Sequence, residues 1–177
     1  MGVNYFGGFG NNFYVYLGVI VMKINVVVVG NLKEKYLIEA SKEYIKRIGR
    51  YHNIDIIEVE EEKLPKNYSE LDISKCLIKE GQKIEKHLKG YIVIMNITGD
   101  MLTSVGLAEK IEKISLSYDT ITFVIGGSYG LSEEIKKKGN LHLSFSKMTF
   151  PHQLFRVMLL EQIYRSATIS NNIIYHK

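Results

Sequence analysis

A chain of 177 residues with a net charge of +4 has the length of one domain and can bury a substantial core. Apolar content of 46% and charged content of 24% are those of a soluble globular protein and exclude a wholly disordered chain. A pI near 9.0 suits a polyanionic partner such as RNA without requiring one. The single cysteine, Cys76, rules out an intramolecular disulfide and fits a reducing cytoplasm. Set among Ile73, Leu77 and Ile78, it reads as a core residue and not as a nucleophile.

Residues 1–21 contain no charged residue and are rich in glycine and aromatics. They lack the basic start of a signal peptide. Asn11 and Asn12 interrupt the apolar part and Lys23 follows it, which argues against a membrane span. The expectation is an extension, disordered or outside the core, followed by one domain over 22–177. Lys23 to Val29, KINVVVV, is a continuous β-branched run, the pattern of a strand buried on both faces. Leu37, Ala40, Tyr44 and Ile48 recur at helical spacing, and Gly49 stops that helix. Ile54 to Val59 reads as a second strand, and a polar connection with Pro65 leads on from it. Ile73, Leu77, Gly81, Ile84 and Leu88 carry a long amphipathic helix, closed by Gly90. Tyr91 to Ile97 is a third strand ending at Thr98-Gly99-Asp100. A helix over Ser104–Ser117 follows, then a strand over Thr120–Ile125, a short basic helix over Ser132–Lys138 and a strand over Leu141–Ser144.

The chain then runs through a small, polar loop, SFSKMT, and Phe150-Pro151 into its most apolar helix. Thr149 can cap that helix and Pro151 suits its first turn. Leu154, Phe155, Val157, Met158, Leu159, Leu160 and Ile163 cover nearly its whole circumference, so it must be buried on more than one side. Alternating strands and helices mean an α/β fold with a mostly parallel sheet. Ligands in such folds lie beyond the carboxyl ends of strands. Three such ends are small, polar or glycine-rich: Met95 to Asp100, Ile125 to Gly130, and Ser144 to Pro151.

Gly126-Gly127-Ser128-Tyr129-Gly130 is neither a dinucleotide fingerprint nor a P-loop; taken alone, a ligand loop and a structural turn are equally good readings. Lys147 either meets phosphate or solvates its loop. His152 serves as a base or holds its own helix turn, and by itself the structural role is favoured. Glu161 and Arg165 stand one turn apart and can simply pair, yet they interrupt an apolar helix, so at least one is expected to reach a functional surface. Tyr175-His176-Lys177 is an ordinary frayed end or an RNA contact. No spacing of cysteine, histidine and acid suggests a metal.

Taken together, FVIGGSYGLS (Phe123 to Ser132), LSFSKMTFPHQLFRVMLLEQIYRS (Leu143 to Ser166) and the final YHK closely resemble the SPOUT-class methyltransferases that modify N3 of a pseudouridine in large-subunit ribosomal RNA. KINVVVVGNLKEKY and IDIIEVE extend the likeness over Met22 to Lys177. The resemblance implies a SPOUT methyltransferase fold with helices flanking the sheet, a C-terminal trefoil knot and a homodimer. It implies S-adenosylmethionine as cofactor, held by Met95, Gly126, Phe145, Ser146, Lys147, Met148, Thr149 and Phe150. Met95 stands where the family usually has leucine, a volume-conserving change. It implies catalytic roles for Arg165, Tyr175 and His176, with 23S rRNA in the assembled ribosome as partner. It gives no role to a membrane or a metal, and it places the protein in the cytoplasm. Two other readings stand beside it: a methyltransferase of the same class acting on another RNA such as tRNA, and a catalytically silent ribosome-binding module.

Overall fold

The computed structural model describes residues 15–16 and 19–176, with side chains from residue 21 onward. Most of the 1–21 segment and Lys177 therefore lie outside the described residues. Val15–Tyr16 (β1) and Val19–Ile20 (β2) pair antiparallel, apart from the main sheet. The main elements are Lys23–Val29 (β3), Lys35–Ile48 (α1), Asn53–Val59 (β4), Glu70–Glu85 (α2), Tyr91–Met101 (β5), Ser104–Ser115 (α3), Thr120–Ile125 (β6), Glu133–Lys137 (α4), Leu141–Ser144 (β7) and His152–Ser170 (α5).

Five strands form one sheet in the order β4-β3-β6-β5-β7, and every neighbouring pair is parallel. The β-branched runs occupy its centre because both faces are covered. On β3, Ile24, Val26 and Val28 join a core with Leu159, Leu160 and Ile163 of α5 and Leu107, Ile111 and Ile114 of α3. Val27 and Val29 point the other way, into a second core with Ile84 of α2 and Ile135 of α4. This alternation follows the two-residue period of a strand. The result is three layers, with α1, α3 and α5 on one face and α2 and α4 on the other.

Helix starts follow local chemistry. Ser69 and Asp72 form a reciprocal capping box at α2, so two free N–H donors are satisfied at once. Thr103 accepts from the Gly106 N–H at 3.0 Å, and Ser132 accepts from the Ile135 N–H at 3.3 Å. α2 closes at Glu85 and not at Gly90, with Lys86 as its cap. The chain then turns, and Gly90 takes φ +63 where a Cβ would strike the Thr120 carbonyl.

Two features depart from the sequence expectation, and both shape the site. β5 does not end at Ile97. It pairs with β7 up to Met95↔Leu143, breaks register, and pairs again at Asp100↔Leu143 and Met101↔Ser144. Leu143 thus has β5 partners on two sides of an arch formed by residues 96–99. Gly99 sits against β7 so closely that a Cβ would lie 2.6 Å from the His142 carbonyl carbon. The second departure is at α5. Pro151 is the N-cap and not the first helical residue, no side chain caps the helix, and Thr149 lies in the preceding loop. The helix also continues beyond Ser166 to Ser170, because Ser166, Ala167 and Thr168 are themselves buried. α5 packs against both α1 and α3, which buries Leu159, Leu160 and Ile163; Leu154, expected to be buried, is instead exposed near the start of the helix.

Candidate active site

The carboxyl ends of β5, β6 and β7 converge on one cleft of about 320 Å³. β5 contributes Ile94, Met95, Asn96 and Ile97, and β6 opens into Gly126, Gly127, Ser128 and Gly130. After β7 the loop supplies Phe145, Ser146, Met148, Thr149 and Phe150, and α5 closes the wall with His152 and Phe155. Seven of the eight residues expected to hold a cofactor line this cleft. Lys147 is the one that does not.

Local contacts give the loops their shape. The Gly130 N–H donates to the Gly127 carbonyl at 3.0 Å, and Gly130 takes φ +84, a conformation that favours glycine. A Cβ on Gly126 would collide with the Gly130 carbonyl. Ser128 donates to Glu61 at 3.2 Å, tying this turn to the chain after β4. In the β7 loop, Ser144 donates to the Ser146 carbonyl and Ser146 Oγ accepts from the Met148 N–H, each at 2.9 Å. Phe145 and Phe150 both contact the ring of Phe155, with centroids 5.1 and 6.5 Å away. Apolar walls with serine, threonine and backbone groups between them suit a ligand that is part flat ring and part polar. The start of α5, with its uncapped N–H groups, adds a positive end at the rim.

Sequence reasoning missed Arg156. One turn inside α5, it is buried at 2% exposure. It pairs with Glu58 on β4 and donates to the Gly30 carbonyl at 2.8 Å. The cation thus joins α5 to the ends of β3 and β4, directly behind the cleft wall formed by Phe155. Its signal was faint: a lone arginine in an apolar run, the same kind of interruption that marked Glu161 and Arg165.

A second cluster lies at the far end of α5. Arg165 donates through Nε to Glu161 Oε1 at 2.9 Å and binds the same oxygen through Nη2. Its guanidinium lies over the Tyr175 ring, 4.7 Å from the centroid, and Nη1 is 3.2 Å from His176 Nδ1. Tyr175 donates to Glu161 Oε1 at 3.2 Å and meets Tyr164 edge-on at 4.8 Å. The tail is folded back and not frayed: the Ile173 N–H donates to Thr168 and the Tyr175 N–H to Ile173. Arg165, Tyr175 and His176 are therefore brought together, with Glu161 as their common partner. Burial, with hydrogen bonds to Tyr44 and Glu161, pushes the Tyr175 phenol up to about 12. It is a donor at neutral pH. The Glu161 carboxylate holds Arg165 above the usual guanidinium range.

Between the two clusters lies a second cavity, lined by Leu143, Phe145, Met158 and Glu161. From His152 to Arg165 the α-helical rise of 1.5 Å per residue gives a separation of about 20 Å along α5. A methyl donor and its acceptor must approach to roughly 3–3.5 Å.

A family model described as "Predicted SPOUT methyltransferase" matches residues 22–176. The chain belongs to the SPOUT methyltransferase family. Proteins of Methanococcus maripaludis (strain C5) and Methanococcus vannielii are each 53% identical over 159 residues, spanning 88% of this chain and all of theirs. Both carry an inferred assignment as ribosomal RNA large subunit methyltransferase H, and at this identity the present SPOUT methyltransferase groups with them. Among solved structures, a probable methylase family protein from Haemophilus influenzae aligns with a TM-score of 0.48 at 14% identity, covering 87% of this chain and 70% of that one. Among the described residues, no helix of this SPOUT methyltransferase is long and apolar enough to cross a membrane. Nor do they contain a group of three histidine, cysteine or acidic side chains placed to hold a metal.

Proposed function

We propose that this protein transfers a methyl group from S-adenosylmethionine to N3 of a pseudouridine in 23S ribosomal RNA, acting as a homodimer on the assembled ribosome. The observation that carries the reading is the pairing of a cleft shaped for a flat polar ligand with an arginine–tyrosine–histidine cluster at the other end of the same helix. The 53% identity to the two Methanococcus proteins supports an RNA of the large subunit as substrate.

S-adenosylmethionine, when bound, supplies an electrophilic methyl group. The cleft suits it because apolar side chains alternate with serine, threonine and open backbone. Met95, Gly126, Phe145, Ser146, Met148, Thr149 and Phe150 would hold it, and Lys147 would reach it only by a movement of its loop. The chain's own part is to align and to stabilise charge. N3 of the target base must lose its proton and leave an anion. Arg165 stabilises that anion. Tyr175, whose phenol proton goes to Glu161 Oε1, orients the base through its ring and its phenol oxygen. His176 accepts the proton at Nδ1 once that nitrogen, which faces Arg165 Nη1, is released from the arginine.

In this reading the site is shared between subunits: one chain supplies the cleft and its partner the tail cluster, whose Arg165 stands about 20 Å along α5 from His152. A two-fold dimer makes two such sites. The trefoil knot belongs to the same reading, and the register break between Met95 and Asp100 marks where β5 loops out beside β7. The same reading takes 22–177 as a single methyltransferase domain, in the cytoplasm, and 1–21 as an extension outside it. The test is to incubate the protein with labelled S-adenosylmethionine and ribosomes that lack the modification, then map the label. Methyl on N3 of a pseudouridine of 23S RNA is expected. Label confined to tRNA, or no transfer at all, would overturn the reading.

A further inference from the structure

The Arg165–Tyr175–His176 cluster does not end at the tail. Its aromatic contacts continue onto α1. Tyr164 touches Tyr175 at 4.8 Å and also meets Tyr44 and Tyr51, with centroids 6.3 and 6.2 Å away. Arg47 lies 5.8 Å from the Tyr44 ring and 5.7 Å from the Tyr164 ring, and Glu43 fixes its Nε at 2.8 Å. A path of tilted and edge-on rings and guanidinium groups thus runs from Arg165 through Tyr175 and Tyr164 to Arg47 and Tyr51.

Around that path the charge is one-sided. Between Lys42 and Arg50 the chain carries four basic residues and one acid, and Lys42, Lys46 and Arg50 are exposed. Clustered cations repel one another, so a helix that only needed to pack on α5 would gain nothing from them. No large apolar side chain is exposed in this stretch; on α1 only Tyr36, near its start, is. A membrane or an apolar protein partner would find no anchor here. Flat rings beside mobile cations are what a single nucleic-acid strand requires, with bases on the rings and phosphates on the charges.

We propose that the second half of α1, with Tyr164 beneath it, is the ledge that carries the single-stranded RNA flanking the modified nucleotide. Arg47, Lys46 and Arg50 take the phosphates and Tyr51 stacks a base. This inference rests on the reading of the protein as an RNA methyltransferase, and it assigns strand positioning to a helix outside the two clusters of the site.

The test uses a fluorescent single-stranded oligoribonucleotide carrying pseudouridine, titrated across a range of salt with the parent, Arg50→Gln, Arg47→Gln/Arg50→Gln and Tyr51→Leu. Binding of S-adenosylmethionine is measured in parallel by calorimetry. Removing one cation that neutralises a phosphate lowers the log–log salt slope by about 0.7. The double variant should therefore show a slope lower by about 1.4 and bind roughly tenfold more weakly, with cofactor affinity unchanged. Tyr51→Leu should weaken binding about fivefold or more at an unchanged slope. Parent-like slope and affinity in Arg50→Gln and in the double variant would overturn the ledge. So would weaker binding confined to variants with a lowered Tm, since that marks packing alone. If the parent transfers no methyl group, the methyltransferase reading fails, and the oligoribonucleotide titration still decides this one.

Discussion

Glu161 Oε1 accepts from both Arg165 and Tyr175, at 2.9 Å from the arginine Nε and 3.2 Å from the phenol. One carboxylate thus sets the position of the cation and of the phenol assigned to the target base. Glu161→Gln keeps the shape and removes the charge. It should slow single-turnover methyl transfer by roughly tenfold to a hundredfold, the usual cost of losing an orienting partner, while the Kd for S-adenosylmethionine stays unchanged. Equal losses in both would place Glu161 in the fold and not in the chemistry.

The buried guanidinium of Arg156 depends on Glu58. Its own side chain is 3% exposed, but that of Glu58 is 45% exposed, so the pair is half open to water. Glu58→Gln should therefore cost less than the ~3–5 kcal/mol of a fully buried pair, about 1–2 kcal/mol in urea unfolding. Arg156→Leu also strips the Gly30 carbonyl of its donor and should cost about 1–3 kcal/mol.

Gly126 leaves no room for a side chain, because a Cβ meets the Gly130 carbonyl of its own turn. Gly126→Ala should open the turn and weaken S-adenosylmethionine binding by an order of magnitude or more, as read by calorimetry. The pairing of β5 with β7 should survive, as amide exchange can check.

These elements were unequally legible in the sequence. β3 and β6 read to the residue because β-branched, apolar runs buried on both faces leave few alternatives, and β7 does so as a short alternating segment. The end of β5, Thr98 to Met101, contains Gly99 and Asp100, so it does not read as strand. It becomes a strand only because β7 passes alongside it, a contact no local pattern encodes. The three strand ends were visible as small and polar segments. Arg156 was not, since its partners lie on β4 and after β3. The ordered tail was hidden for the same reason: Tyr175 is held by Glu161 and Tyr164, which precede it on α5.

Burial pushes His52 down to about 4, against about 6.5 in an unfolded chain. Between those values the unfolded chain binds a proton that the folded one refuses. Stability is therefore full above pH 6.5 and falls as the pH drops to 4, by about 3 kcal/mol in total. The Nδ1 atom accepts from the Met22 N–H at 3.4 Å, a role an amide oxygen can fill. His52→Gln should flatten the loss seen in urea titrations at pH 7, 5.5 and 4.

Catalysis is assigned to a site shared by two subunits, and subunit mixing tests that directly. At S-adenosylmethionine concentrations near the parent's Kd, Gly126→Ala leaves the cleft largely empty and Arg165→Ala disables the tail cluster, so each homodimer should be nearly inactive in methyl transfer to unmodified ribosomes. Co-expressed at equal amounts, half the dimers are mixed and each retains one intact site. Activity should return to about a quarter of the parent's. Mixed dimers as inactive as either homodimer would contradict the shared site.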